Sequence, residues 1–295
     1  MHPATGPEPA QEEFDEKARK KYLKKKHAGA RAHAIGDDFE AFLIMVILVK
    51  LGAFVRISRK NPEQYCIIQN AEEWIDDINV SSPTRRRYIH AKSGQTKGTW
   101  SRNTQRDFEH QSRDAGEGRL VTFELVAPTS RMADLLDVNR PAKLKNVRIK
   151  ILDIDRMSNE SWSWWFIDRS LARLDVLNHE SEMLYERMWA QLFSARFLED
   201  ANATLASTFK KASSYSNGAI ASLGPPNEAL LELADSLGHI EGLKLAVSGD
   251  RLIYRFAKNF GMTLETQKIE LAWLGYLSTD IPETLPEFMK WVGAY

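Results

Sequence analysis

Two stretches of this chain carry the residue types of a hydrolytic site. The first, EEWIDDINV, holds the adjacent carboxylates Asp76 and Asp77. The second, RRRYIHAKS, follows the turn residues SSPT and holds His90, Ala91 and Lys92. Both runs are rich in β-formers, and a turn cluster between two such runs predicts a hairpin. Residues two apart in a strand share a face, so His90 and Lys92 point the same way and Ala91 points to the other. An acid on the neighbouring strand then meets them in space. A carboxylate, a second ligand and a lysine on one face suit metal-assisted hydrolysis of a phosphodiester. The carboxylate binds a hard divalent cation through oxygen, and the cation polarises the phosphate and acidifies a bound water. The ammonium orients that water and offsets charge in the transition state. Glu40, on a preceding helix, is a candidate further ligand.

The same residues have plainer uses. Glu40 stands three positions after Asp37 and fits a capping box. The Asp76–Asp77 pair can neutralise Arg85, Arg86 and Arg87, and Lys92 can be a solvated strand lysine.

The elements needed to hold these groups are legible around them. GDDFEAFLIMVILVKLG reads as a helix with Asp37 as its N-cap and Gly52 as its end. Its apolar stretch, Phe39 to Val55, is shorter than the ~20 residues of a membrane span and contains Glu40 and Lys50, so a buried core helix is expected. YCIIQN is a short strand. NTQRDFEHQSRDAG is a helix ended by glycine, LVTFELVAP a buried strand stopped by proline, TSRMADLLDV a helix capped by Thr129 or Ser130, and NVRIKILDI a strand. The order from Ile35 to about Asp155 is therefore helix, three strands, helix, strand, helix, strand, an α/β core. Beyond it, helical spacing dominates (Leu184, Met188, Leu192). SYSNGAIASLGPPN interrupts it, EALLELADSLGHI resumes it, LKLAVSGDRLIYRF fits a hairpin, and EFMKWVGAY is a last helix. SWSWWFID packs Trp162, Trp164 and Trp165 together, a pattern more typical of a core or interface than of base stacking.

This order of elements resembles the PD-(D/E)XK, or restriction-endonuclease-like, nuclease superfamily. It is closest to the double-stranded-DNA endonuclease domain of bacterial anti-phage defence effectors. The matching residues are Gly36 and Glu40 in GDDFE, the acidic pair with Asp77 just before Ile78, the HAKS strand from His90 to Ser93, and an "F..Q" helix in DFEHQ. The resemblance implies a mixed-sheet core flanked by helices, Glu40, Asp77 and His90 as metal ligands, Lys92 as the catalytic lysine, and Mg²⁺ or Mn²⁺ as cofactor. It implies duplex DNA as substrate, and control by a sensor or ATPase partner or by self-association. The family carries Glu or Gln where this chain has His90. Imidazole suits Mn²⁺, zinc or iron better than Mg²⁺, so a shifted metal preference and a catalytically degenerate DNA-binding scaffold both stay open.

Composition sets the frame. The 295 residues carry 40 basic and 40 acidic side chains, 43% hydrophobic residues and a single cysteine, Cys66. That is the balance of a folded globular protein, with no disulfide framework. The first 35 residues lack the apolar run of a secretory leader, and a cytoplasmic protein is expected. The zero net charge conceals a basic middle: Lys17 to Arg119 holds 21 bases and 12 acids. Within it, Lys17 to Arg31 has eight bases and no acid. Basic runs of this kind attract phosphate without reading sequence. Arg85, Arg86, Arg87 and Lys97 are the candidate DNA-backbone contacts. The expected organisation is a basic arm (1–34), a nuclease-like domain (35–158) and a mainly helical interaction region (159–295).

Overall fold

The computed structural model describes residues 38–92, 98–115, 118–152, 165–176, 182–197, 203–256, 260–265 and 282–293. The basic arm, the Asp37 cap, Lys97 and two of the clustered tryptophans, Trp162 and Trp164, lie outside them.

A five-stranded mixed sheet forms the centre. Its order is β1 (Cys66–Gln69), β2 (Ile78–Ser81), β3 (Arg85–Ala91), β4 (Leu120–Ala127), β5 (Val147–Ile151). The first three strands run antiparallel, and β3, β4 and β5 run parallel. The β2–β3 connection is the predicted hairpin at Pro83, closed by the Ser82 N–H on the Arg85 carbonyl at 2.9 Å. The parallel strands need crossovers. These are α2 (Arg102–Asp114), capped by Ser101, and α3 (Ser130–Val138), capped by Thr129. Both helices cover one face of the sheet, where Tyr88, Phe123 and Leu125 pack against Phe108, Met132 and Leu136.

The opposite face is covered by α1 (Asp38–Ile57). This helix is buried along most of its length: Ile44, Met45 and Val49 are fully enclosed. A helix apolar on nearly every side belongs inside a core, and no helix among the described residues is long and apolar enough to cross a membrane. The expected stop at Gly52 is corrected: the helix runs on to Ile57. A Cβ at Gly52 would sit 2.3 Å from Cζ of Phe209. The glycine admits an aromatic ring against the helix backbone instead of ending the helix.

The C-terminal part is largely helical, with α4 (Trp165–Leu174), α5 (Glu182–Phe197), α6 (Leu205–Tyr215), α7 (Glu228–Leu237) and α8 (Leu285–Gly293). A three-stranded antiparallel sheet joins them: β6 (Leu243–Ser248), β7 (Arg251–Phe256) and β8 (Phe260–Glu265). The β6–β7 pair is the hairpin expected from the sequence, and β8 was not anticipated. The expected boundary at 158/159 falls outside the described residues. Ile167, Leu171, Met188, Leu192 and Phe209 share one apolar cluster with α1 and with Ile67, Ile78 and Ile89 of the sheet.

Candidate active site

The site forms where β2 and β3 part. The last β2–β3 pair is Ile78 with Ile89. Beyond it, His90 and Ala91 still pair with Leu125 and Val126 of β4 but have no β2 residue opposite them. The Asp77 side chain takes the vacated position. Its Oδ2 accepts the backbone N–H of Ala91 at 2.7 Å and lies 2.6 Å from Nδ1 of His90. A carboxylate oxygen accepts, so Nδ1 of His90 carries the proton of this contact. Asp76 and Asp77 were expected on a strand. Both instead precede β2, in a loop tied back by the N–H groups of Asn70 and Ala71 on the carbonyls of Asp77 and Asp76. Leaving the ladder one residue earlier frees the Asp77 side chain to cap it.

His90 faces the α2 side of the sheet. Its ring meets Phe108 edge-on at 6.2 Å and 88°. By strand alternation Lys92 follows on that face. Its backbone N–H still bonds Val126, and its ammonium donates to the Thr99 carbonyl. Burial holds the Lys92 ammonium below the usual lysine range.

Helix α2 fixes the loop that presents Asp77. Gln111 is buried. Its Oε1 accepts the N–H groups of Trp74 at 2.9 Å and Ile75 at 3.2 Å. Its Nε2 donates to Glu73 at 3.2 Å, whose other oxygen accepts from Arg86 at 2.9 Å. Trp74 donates to Asp114 at 2.7 Å and stacks on His110. The Phe108 and Gln111 of DFEHQ thus act as a unit: the phenyl sets the imidazole, and the amide sets the loop before the acid. A buried amide with its donors and acceptors used rigidifies what it touches.

Glu40 is placed elsewhere. It lies on α1, and Nε2 of Gln69 approaches its Oε2 at 3.5 Å. Gln69 shares a strand face with Ile67, which packs toward α1. Glu40 therefore comes from the α1 side, while the Asp77–His90 pair faces α2. Among the described residues no three His, Cys, Asp or Glu side chains gather closely enough to hold a metal ion. The protein donor set at the fork is one carboxylate and one imidazole. Because the carboxylate accepts from the ring, Asp77 here orients His90, and the two would share one cation only once that hydrogen bond opens, with waters and phosphate oxygens completing the shell.

The three arginines divide. Arg85 is exposed. Arg86 is paired with Glu73 and lies 5.0 Å over the Tyr88 ring. Arg87 is bound through two nitrogens to the buried Glu124, at 2.8 and 3.3 Å. The carboxylates they meet are not the Asp76–Asp77 pair. Sequence reading overlooked Glu73 and Glu124, although a glutamate inside LVTFELVA signals a buried charge in need of a partner. Comparison of the chain with protein-family models, curated proteins and solved structures finds no match.

Proposed function

We propose that this protein is a metal-dependent endonuclease that hydrolyses phosphodiester bonds of double-stranded DNA. The reading rests on one observation: Asp77 and His90 meet at the β2–β3 fork, with Lys92 one residue past the end of β3 and its ammonium on the Thr99 carbonyl. The sequence resemblance adds the restriction-endonuclease-like identity of the core, and with it the role of effector in a bacterial anti-phage system. It also adds control by a sensor or ATPase subunit or by self-association.

In this reading Asp77 and His90 would hold Mg²⁺ or Mn²⁺ once their mutual hydrogen bond opens, and Glu40, on the α1 side of the sheet, would not join them as placed. The bound cation supplies Lewis acidity toward the phosphate and its attacking water. The chain supplies the rest. The Ala91 N–H fixes Asp77, and Phe108 fixes the plane of the imidazole. Lys92, steadied by the Thr99 carbonyl, brings a positive charge to the scissile phosphate. Arg85, Lys97 and the basic arm contact the DNA backbone.

The rival reading is a DNA-binding or scaffold subunit of a defence complex that keeps this fold without cleavage. It is favoured by the structural work Asp77 already does for His90 and Ala91. Incubation with supercoiled plasmid separates the two. The nuclease nicks DNA at least about tenfold faster in Mn²⁺ than in Mg²⁺, and His90→Gln narrows that ratio. Lys92→Ala lowers the rate about 100-fold or more. Duplex binding without cleavage in either metal supports the scaffold. No duplex binding even at low salt sinks both.

A further inference from the structure

A second concave site lies at the other end of α1, about 25 Å along the helix from Glu40 at its usual rise per residue. It is a cavity of about 740 Å³ between the α1 terminus, the loop through Gly224 and the β6–β7 turn. Arg56, Arg59 and Lys60 line it, and among the described residues no acidic side chain does. Small-molecule sites commonly have volumes of about 300–1,000 Å³, mostly apolar walls and a few convergent polar groups. Here Leu223, Pro225 and Pro226 supply an apolar wall facing the cations.

The plain account of three cations at a helix C-terminus is compensation of the helix dipole. Two observations exceed it. Arg56 already donates to the carbonyls of Arg173 and Asp175. Among the described residues, neither Arg59 nor Lys60 is paired with a carboxylate. The backbone also departs from the economical choice. Arg59 has φ 49°, the left-handed conformation that closes a helix and normally falls to glycine. The Lys60 N–H bonds the Val55 carbonyl at 3.1 Å and completes that closure. An arginine here carries backbone strain, and strain held at the rim of a cavity points to a use for the side chain.

We propose that this cavity binds a nucleotide-sized organic phosphate, with its phosphoryl oxygens on Arg59 and Lys60 and its apolar body against Leu223 and Pro225. Two adjacent cations call for a ligand with more than one negative charge, and a guanidinium matches phosphoryl oxygens two at a time. Gly224 lines the cavity and a Cβ there would meet nothing within 4 Å, so a side chain can be introduced at that position. The site is independent of the nuclease reading and stands or falls without it.

The test is isothermal titration of the full chain with ADP, UDP, inorganic phosphate and adenosine at 150 mM salt, roughly physiological ionic strength. The expected result is saturable binding of ADP or UDP, one per chain, at least about tenfold tighter than phosphate or adenosine alone. The double variant Arg59→Gln, Lys60→Gln weakens it about tenfold or more, and Gly224→Trp abolishes it with the thermal melt unchanged. Absence of saturable nucleotide binding overturns the proposal. So does affinity no better than that of phosphate, or binding that survives both variants.

Discussion

At the scale of single residues, the fork turns ordinary groups into a site by using up their simplest partners. Asp77 caps the Ala91 N–H and orients His90. Lys92 is the group left with an unfavourable environment, since burial disfavours its charged form. The sign of the pH effect follows. With a folded pKa below the unfolded one, the unfolded chain holds more protons between the two values, and stability rises with pH across that interval. The penalty is complete below the lowered pKa and gone above the ordinary lysine value. Lys92→Met should therefore raise the melting temperature at pH 7, with the gain shrinking toward pH 10.5, and under the proposed function it should also abolish cleavage. A melting temperature that falls equally at both pH values would show that the lysine supports the fold. Arg86 and Arg87 make the opposite point. Their identity suggested DNA, and their partners Glu73 and Glu124 occupy them inside the chain.

At the scale of elements, most of the core was readable because period and punctuation agreed. The Ser-Ser-Pro-Thr turn, the Thr129 cap and the Pro128 stop each marked a real boundary. Gly52 misled for a physical reason: a glycine can end a helix or admit a neighbour, and local sequence does not distinguish the two. Gly52→Ala should gain helix propensity of up to about 1 kcal/mol and lose about 1–3 kcal/mol to overpacking against Phe209. We expect a net loss of about 1–2 kcal/mol in denaturant unfolding. Most of it should be recovered in a Phe209→Leu background, as a double-mutant cycle would report. An alanine variant at least as stable as the wild type would mean that the ring yields without cost.

At the scale of the whole molecule, the arrangement of the C-terminal helices matters more than their count. α4, α5 and α6 bury the outer side of α1, so the sheet, α1 and these helices form one apolar cluster. A fragment ending at residue 158 would strip Trp189 from Phe42 and Phe209 from Gly52 and open the outer side of α1 to water, a patch that favours association. Such a fragment should be insoluble or bind a hydrophobic dye without a cooperative melt. A monomeric fragment with a sharp unfolding transition would establish 35–158 as an autonomous domain. The mainly helical region thus serves the core directly.

The chain alone determined the α/β order of elements, the hairpin that carries His90, and the buried character of α1. All of these follow from neighbour-to-neighbour rules: periodicity, caps and turn residues. Tertiary structure decided which charges are spent on one another, on which side of the sheet Glu40 lies, and that cations at the end of α1 face a cavity lined by residues more than 150 positions away. Those outcomes depend on contacts between distant parts of the chain, and no local pattern of residues encodes them.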